Sequence, residues 1–471
     1  MSTPPPPTGM PVRATQVLRV RKIWLLPLTI AAVFVALMSV IYFGSVVNPT
    51  GHMRGMPVMV VDEDTGATVH GQRIDVGASL VHALQGSSGV SSRLALRTGK
   101  LAQAHARMDQ GGAYATLVIP ATLSRSVLLS TGTGRAGAGV PAKGSVELLE
   151  NSRLGSLGVN LVAGVATKAV ASFSPRVATK IKPLVTPTAA ANPVMAAQNA
   201  DPVSLTTAGY RPLPDHSALG LSAFYVALLS IMAGFIGATL INSSIDSGLG
   251  YGATEFGPRW RQRRPVPINR RQTLLVKWSA AVIAAPVLTG ILLLVSAGLL
   301  HMYAPDPLLL WLLMAFAALM ISTGTLALLA TVGSIGQLLA MILLVYLSLA
   351  SSGGTVPIQA LPGFFGAVAH VEPLRQVLLG TRAIMYFGAR GDAGLTHSLI
   401  LIGCELAFWA LLGLAVTSWY DHKKLYRLTP DLFGSISRAI DSVARERAAA
   451  AIPVATDETS LTTTHGSPPD A

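Results

Sequence analysis

Six apolar runs constrain this chain more than any other feature. A helix that crosses a bilayer needs about 20 predominantly apolar residues, because a rise of about 1.5 Å per residue must cover about 30 Å of hydrocarbon. Residues 23–47, 217–241 and 308–330 carry no Asp, Glu, Lys or Arg. The run 274–300 carries only Lys277, placed near its start to reach the headgroups, and 397–419 carries only Glu405. Residues 335–351 form a shorter uncharged run after the turn at Gly333-Ser334. Within lipid, a single run satisfies its own backbone only as a helix. The expected fold is a polytopic α-helical membrane protein with six transmembrane helices. An α/β extracytoplasmic domain, residues 48–215, lies between helices 1 and 2.

Composition points the same way. Charged residues make up 12% of the chain, against about 25% in soluble domains, which is too few to cover a water-facing surface of this size. The net charge of +13 gathers beside the apolar runs, without an RNP-like motif, a zinc spacing or a recognition helix. It therefore speaks for contact with the lipid bilayer, and no nucleic acid is expected as a partner.

Orientation follows from the basic residues. Arg13, Arg19, Arg21 and Lys22 precede the first run, which is too long for a signal-peptide core and reads as an uncleaved anchor. The loop 243–273 holds Arg259, Arg261, Arg263, Arg264, Arg270 and Arg271, and the stretch after the last run holds Lys423, Lys424 and Arg427. With both loops and the N-terminus on the cytoplasmic side, six spans close consistently in an inner or plasma membrane. The segment 352–396 then falls outside, although Arg375, Arg382 and Arg390 break the positive-inside pattern there. Residues 1–22 read as a disordered basic N-terminus. Residues 421–471 read as a cytoplasmic amphipathic stretch, with Leu432, Phe433, Ile436 and Ile440, followed by a disordered tail.

Residues 48–215 alternate between strand and helix patterns. Strands are expected at 56–61, 93–97, 114–119 and 145–149, and helices at 76–84, 100–109 and 153–182. Residues 183–215, rich in Pro, Ala and Thr, read as an extended return to the membrane. The single cysteine, Cys404, excludes an intrachain disulfide and reads as a small buried hydrophobe. The domain must then be held by its own core. The Asp62-Glu63-Asp64 cluster lacks the spacing of a calcium loop and reads as a solvated turn.

Sequence motifs for chemistry are absent. No G-x-x-x-x-G-K-[ST], H-E-x-x-H, C-x-x-C or G-x-S-x-G occurs. No enzyme activity, cofactor or metal is expected, and the chain carries no P-loop of its own. Three candidate sites remain. Glu405 lies inside the last run, where an ionisable group is costly in lipid. It either faces a bundle cavity as a proton or substrate group, or makes a polar contact with a neighbouring helix. The loop residues Glu255, Arg259, Arg261, Arg263 and Arg264 form either a docking surface for a partner or an anchor on anionic lipid. Gly353, Gly354, Pro357, Pro362 and Gly363 break any helix at membrane depth, which predicts a re-entrant or interfacial segment within 352–396.

Three local runs resemble one family in order and spacing. They are Met56-Pro57-Val58-Met59-Val60-Val61-Asp62, then Gly112-Ala113-Tyr114-Ala115-Thr116-Leu117-Val118-Ile119-Pro120 with Leu123-Ser124, then Ser352-Gly353-Gly354-Thr355-Val356-Pro357 with Leu361-Pro362-Gly363-Phe364-Phe365. The chain resembles the YhgE/Pip (phage-infection-protein) group, related to type-2 ABC permeases, over nearly its whole length. It lacks the long heptad coiled coil that many members carry. The resemblance implies an export-type permease that works as a homodimer with a separate cytoplasmic ATPase. It exports an amphiphilic or lipid-like compound or a drug. The alternative is a non-transporting envelope protein, such as a phage receptor, scaffold or secretion accessory, acting through its extracytoplasmic domain.

Overall fold

The structure, a computed structural model, describes residues 21–69, 71–133, 141–256, 259–428 and 430–450. The stretches expected to be disordered, 1–20 and 451–471, lie outside the described residues.

Residues 53–210 form a layered domain on a five-stranded sheet. The strands are β1 (Met56–Asp62), β2 (Leu94–Thr98), β3 (Ala115–Ile119), β4 (Gly144–Glu150) and β5 (Val203–Gly209). Their spatial order is β2-β1-β3-β4-β5. β1 pairs in parallel with β2 and β3, β4 runs antiparallel to β3, and β5 runs parallel to β4. β3 is buried along its entire length, as expected for a central strand with both faces covered. One face packs on α2 (Val76–Gly86), α4 (Leu123–Ser130) and the long α5 (Ser156–Ile181). The other packs on α3 (Leu101–Asp109) through Ala104 and Met108.

Two readings of this domain change. Residues 183–215 are not an extended return. They contain two short helices, Pro187–Ala191 and Pro193–Ala200, and then β5. Thr186 and Asn192 cap those helices with side-chain oxygens ahead of an N1 proline, so the Pro-rich composition marks helix starts. The Asp62-Glu63-Asp64 turn is also more than solvated. Asp64 accepts hydrogen bonds from the Gly77 amide at 2.9 Å and the Ser124 amide at 3.1 Å, and from the Ser124 hydroxyl, which ties α2 and α4 to the end of β1.

The rest of the chain is a helix bundle. Its helices are α1 (Arg21–Val46), α6 (Ser222–Gly248), α7 (Arg270–Leu293), α8 (Pro307–Val332), α9 (Ile335–Ser351), α10 (Pro373–Tyr386) and α11 (Leu395–His422), followed by α12 (Pro430–Ala450). Among the described residues six helices are long and apolar enough to cross a membrane. Five of these, α1, α6, α7, α8 and α11, lie on expected spans. The sixth is Ser156–Leu184, whose apolar residues Val159, Val162, Val170, Phe173 and Val177 are buried with the sheet. The expected span at 335–351 falls short of that length, at about 25 Å from a rise of about 1.5 Å per residue.

The central helix is α8, which is mostly buried and packs against α6, α7, α10 and α11. Small residues let its backbone come close to its neighbours. A Cβ on Gly234 of α6 would lie 2.5 Å from the Ala318 carbonyl oxygen of α8. There Ser322 donates to the Gly234 carbonyl at 2.9 Å. Cys404 is exposed. Its expected burial fails because the residue lies on the outer side of α11, where lipid replaces protein.

Candidate functional site

Polar groups concentrate at the two ends of the bundle. At one end, here the base, α6 finishes, α7 begins and α11 finishes. Asp246 near the end of α6 meets Lys277 Nζ at 2.7 Å, and Arg427 grips the same carboxylate with two nitrogens at 2.6 and 2.8 Å. Lys277 also donates to Asn242 at 2.7 Å. Lys277 is therefore not a snorkelling residue. It is 6% exposed and turned inward, because an acid one helix away compensates its charge. The Asp246 carboxylate holds the Arg427 guanidinium above its usual pKa, and the same guanidinium lies over the Tyr251 ring at 4.5 Å. Asp421 of α11 accepts from the amides of Arg270 and Arg271, both at 3.0 Å. A carboxylate at the positive end of the α7 dipole is a stabilising placement. Asp246, Lys277 and Arg427 line a cavity of about 300 Å³ with Gln337 of α9.

The basic loop sits beside this network. It contains a two-stranded hairpin, Thr254–Phe256 with Arg259–Arg261. The side chains of Glu255, Arg259 and Arg261 lie outside the described residues. Arg263 and Arg264 are exposed, and Arg264 pairs with Asp441 of α12. The Tyr251 hydroxyl donates to the Val266 carbonyl at 2.8 Å and fixes the chain on its way into α7. Phe433 of α12, Tyr251 and Tyr426 line a neighbouring cavity of about 410 Å³.

The other end, here the top, carries the sheet domain. After α9 the chain turns through Gly353, which has φ +72°, and Gly354, whose added Cβ would lie 2.1 Å from the Phe224 ring. Pro357 and Pro362 each precede a short helix, Ile358–Ala360 and Gly363–Val368. Glu372 then caps α10, accepting from the Leu374 and Arg375 amides at 2.8 Å each. α10 is amphipathic by sequence yet buried nearly all round, wedged among α6, α8 and α11. The domain rests on this segment. The Arg54 amide donates to the Gln359 carbonyl at 2.8 Å, the Tyr114 hydroxyl to Gln359 Oε1 at 3.3 Å and Arg153 to the Tyr386 carbonyl at 2.9 Å.

Glu405 lies on α11, within electrostatic reach of the Glu372 carboxylate that caps α10. It is partly buried within α11, and its Oε1 is buried without a hydrogen-bond partner. The fold does not bring the three candidates together. The loop lies at the base, the Gly/Pro segment at the top and Glu405 along α11. Among the described residues no group of three or more His, Cys, Asp or Glu could hold a metal ion. Sequence reasoning missed the Asp246 network, although an acid closing one span and a lysine opening the next were its visible signal.

A family model for the ABC-2 family transporter proteins matches residues 22–415. Among curated proteins none matches.

Proposed function

The chain belongs to the ABC-2 transporter family, and we propose that it is the permease of an exporter that a separate cytoplasmic ATPase drives. Its cargo is an amphiphilic or lipid-like compound or a drug, moved outward across the plasma membrane. In this reading the chain is no enzyme, works as a homodimer, has both termini in the cytoplasm and carries its sheet domain outside. The finer kinship to the YhgE/Pip group belongs to the same proposal.

The observation that carries this reading is the base network. An ATPase that supplies the energy must push on the spans through the cytoplasmic loops. The loop 243–273 enters and leaves directly at Asp246, Arg270 and Lys277, which join α6, α7 and the end of α11. Force on that loop reaches three spans through charged hydrogen bonds. Residues Glu255, Arg259, Arg261, Arg263 and Arg264 are the proposed docking surface. The alternative, an envelope protein that uses the bundle only as an anchor, fits poorly with a sheet domain bonded to α10 and its approach loop, since a single span suffices to anchor a domain.

Deleting residues 255–264 is expected to abolish co-purification with the partner ATPase while the protein still inserts. Retained co-purification defeats the docking assignment. Orientation is checked on a Cys404→Ser background in intact cells. Glu147→Cys is expected to react with an impermeant maleimide and Lys423→Cys to be protected. The reverse pattern inverts the topology and removes the docking loop from the cytoplasm.

A further inference from the structure

Two arginines lie beneath the sheet domain without a carboxylate in ion-pair contact among the described residues, although the Glu372 carboxylate attracts Arg375 from a distance. Arg382 is 8% exposed and its Nε is buried without a hydrogen-bond partner. Arg375 precedes it by two helical turns, so both project from one side of α10. Among the described residues no carboxylate lies within ion-pair distance of either guanidinium. Glu372 is the nearest acid along the helix, and its carboxylate caps the amides of α10. Arg382 is buried and Arg375 partly buried, and holding two like charges side by side is costly unless something answers both of them.

What they flank is the start of another helix. Gly155 is the N-cap of the 26-residue α5 and supplies no side chain to cap it. The amides of Ser156, Leu157 and Gly158 have no intrahelical partner by position, and among the described residues no other acceptor takes them. Ser156, Leu157 and Gly158 line a cavity of about 270 Å³ together with Gly155, Gly353, Gly354 and Pro357, and the two arginines border it only at its glycines. The Arg382 guanidinium lies 3.4 Å from the position of a Cβ on Gly155, and that of Arg375 lies 3.1 Å from a Cβ on Gly353. Both glycines have positive φ, +110° and +72°, so the two places where a side chain would crowd the guanidiniums are held open.

We propose that the start of α5, where this cavity meets Arg382 at Gly155 and Arg375 at Gly353, is an anion site, in which the first-turn amides of α5 and the two guanidiniums hold one phosphate or carboxylate group. The chemistry is complementary on each side. The helix start offers aligned N–H donors at the positive end of a dipole. The arginines offer planar forks that match the oxygens of a phosphate or carboxylate. The group bound is either the headgroup of an anionic lipid or a small free anion. Its place matters because α5 belongs to the sheet domain and α10 to the bundle, so a bound anion ties the two together. The site stands on these contacts alone and does not depend on the transport reading.

The test uses the full-length protein in phosphatidylcholine nanodiscs, with inorganic phosphate or phosphatidylglycerol as probe. The readouts are the thermal unfolding midpoint and native mass spectrometry of bound lipid. At least one probe is expected to raise the wild-type midpoint. Arg382→Gln and Arg375→Gln are each expected to weaken that probe about tenfold or more, since a charged hydrogen bond is worth at least that factor. Without probe, Arg382→Gln is expected to unfold no earlier than wild type, because it removes an unanswered charge. A residue needed only for packing would not behave so. A response to phosphatidylglycerol alone identifies a lipid headgroup, and a response to phosphate that also displaces the lipid identifies a small anion. If Arg382→Gln does not fold, Ser156→Asp supplies a built-in carboxylate, expected to raise the midpoint without probe and to abolish the response. The proposal is overturned if neither probe shifts wild type, or if the shift survives in these variants.

Discussion

Both ends of the helix bundle bury cations, and they treat them in opposite ways. At the base, Lys277 and Arg427 converge on one carboxylate, Asp246, at 2.6 to 2.8 Å. At the top, Arg375 and Arg382 lie beside a helix start and have no acid in ion-pair contact among the described residues. The base is complete within the chain. The top needs a partner from outside it. A structural joint favours the first arrangement, because its geometry does not depend on what is dissolved nearby. A site that responds to a ligand requires the second.

The sharpest way to break this contrast is to remove Asp246, the acid that both base cations share. Asp246→Leu leaves the buried Lys277 and the partly exposed Arg427 without their shared acid and is expected to cost about 3 kcal/mol, read as a large fall in the thermal unfolding midpoint. Adding Lys277→Met should restore part of the loss, since one of the two cations then disappears. At the top, removing Arg382 is expected to cost nothing in the absence of an anion. If Asp246→Leu is as stable as wild type, the base network holds nothing together, and the two ends no longer differ.

A smaller effect tests what joins the ends. α6 runs from the top, where Ser222 bonds the Tyr386 hydroxyl at 2.7 Å, to Asp246 at the base. It is locked to α8 where Gly234 meets the Ala318 backbone. Gly234→Leu forces those backbones apart and is expected to cost about 1–3 kcal/mol. Gly363→Leu, where an added Cβ would meet nothing within 4 Å, is expected to leave the midpoint unchanged. Equal effects from the two substitutions would show that the α6–α8 contact is not a close-packed joint.

How far the sequence disclosed this arrangement depended on the kind of signal. The spans α1, α6, α7, α8 and α11 were legible because hydrocarbon thickness sets a minimum apolar length that few soluble helices reach. α5 reaches that length too, and only its context among strand patterns assigned it to the sheet. β5 was hidden by a Pro- and Ala-rich approach, since nothing local indicates that residues 203–209 pair with β4. Arg375 and Arg382 were visible as violations of the positive-inside pattern, but not what they meant. Charge counts tell which side of the membrane a loop takes. They do not tell that a guanidinium sits under a helix start contributed by residues more than two hundred positions earlier. The Asp246 network was hidden for the same reason, because its members come from α6, from α7 and from the stretch after α11.

The smallest expected effect lies on the sheet domain and gives the contrast a third case, a charge pair left in water. Asp201 accepts from Lys143 Nζ and the Ser174 hydroxyl, both at 2.6 Å, and Ser174 in turn accepts from the Val203 amide at 3.0 Å. The carboxylate thus pins the start of β5 to α5. The hydrogen bond from Lys143, helped by that from Ser174, holds the Asp201 pKa below its ordinary 3.8. The sign follows from this depression. The folded state binds the proton less readily than the unfolded one, so the contribution is fully present above about pH 4 and fades as pH falls through the folded value. The Asp201 side chain is 63% exposed, which limits the pair to about 0–1 kcal/mol. Asp201→Asn is expected to lower the midpoint slightly at neutral pH and to flatten its fall below pH 4. A variant that falls as steeply as wild type in acid would assign that loss to other carboxylates. The pair would then contribute nothing to stability, and the water-exposed case would differ from the base in degree as well as in place.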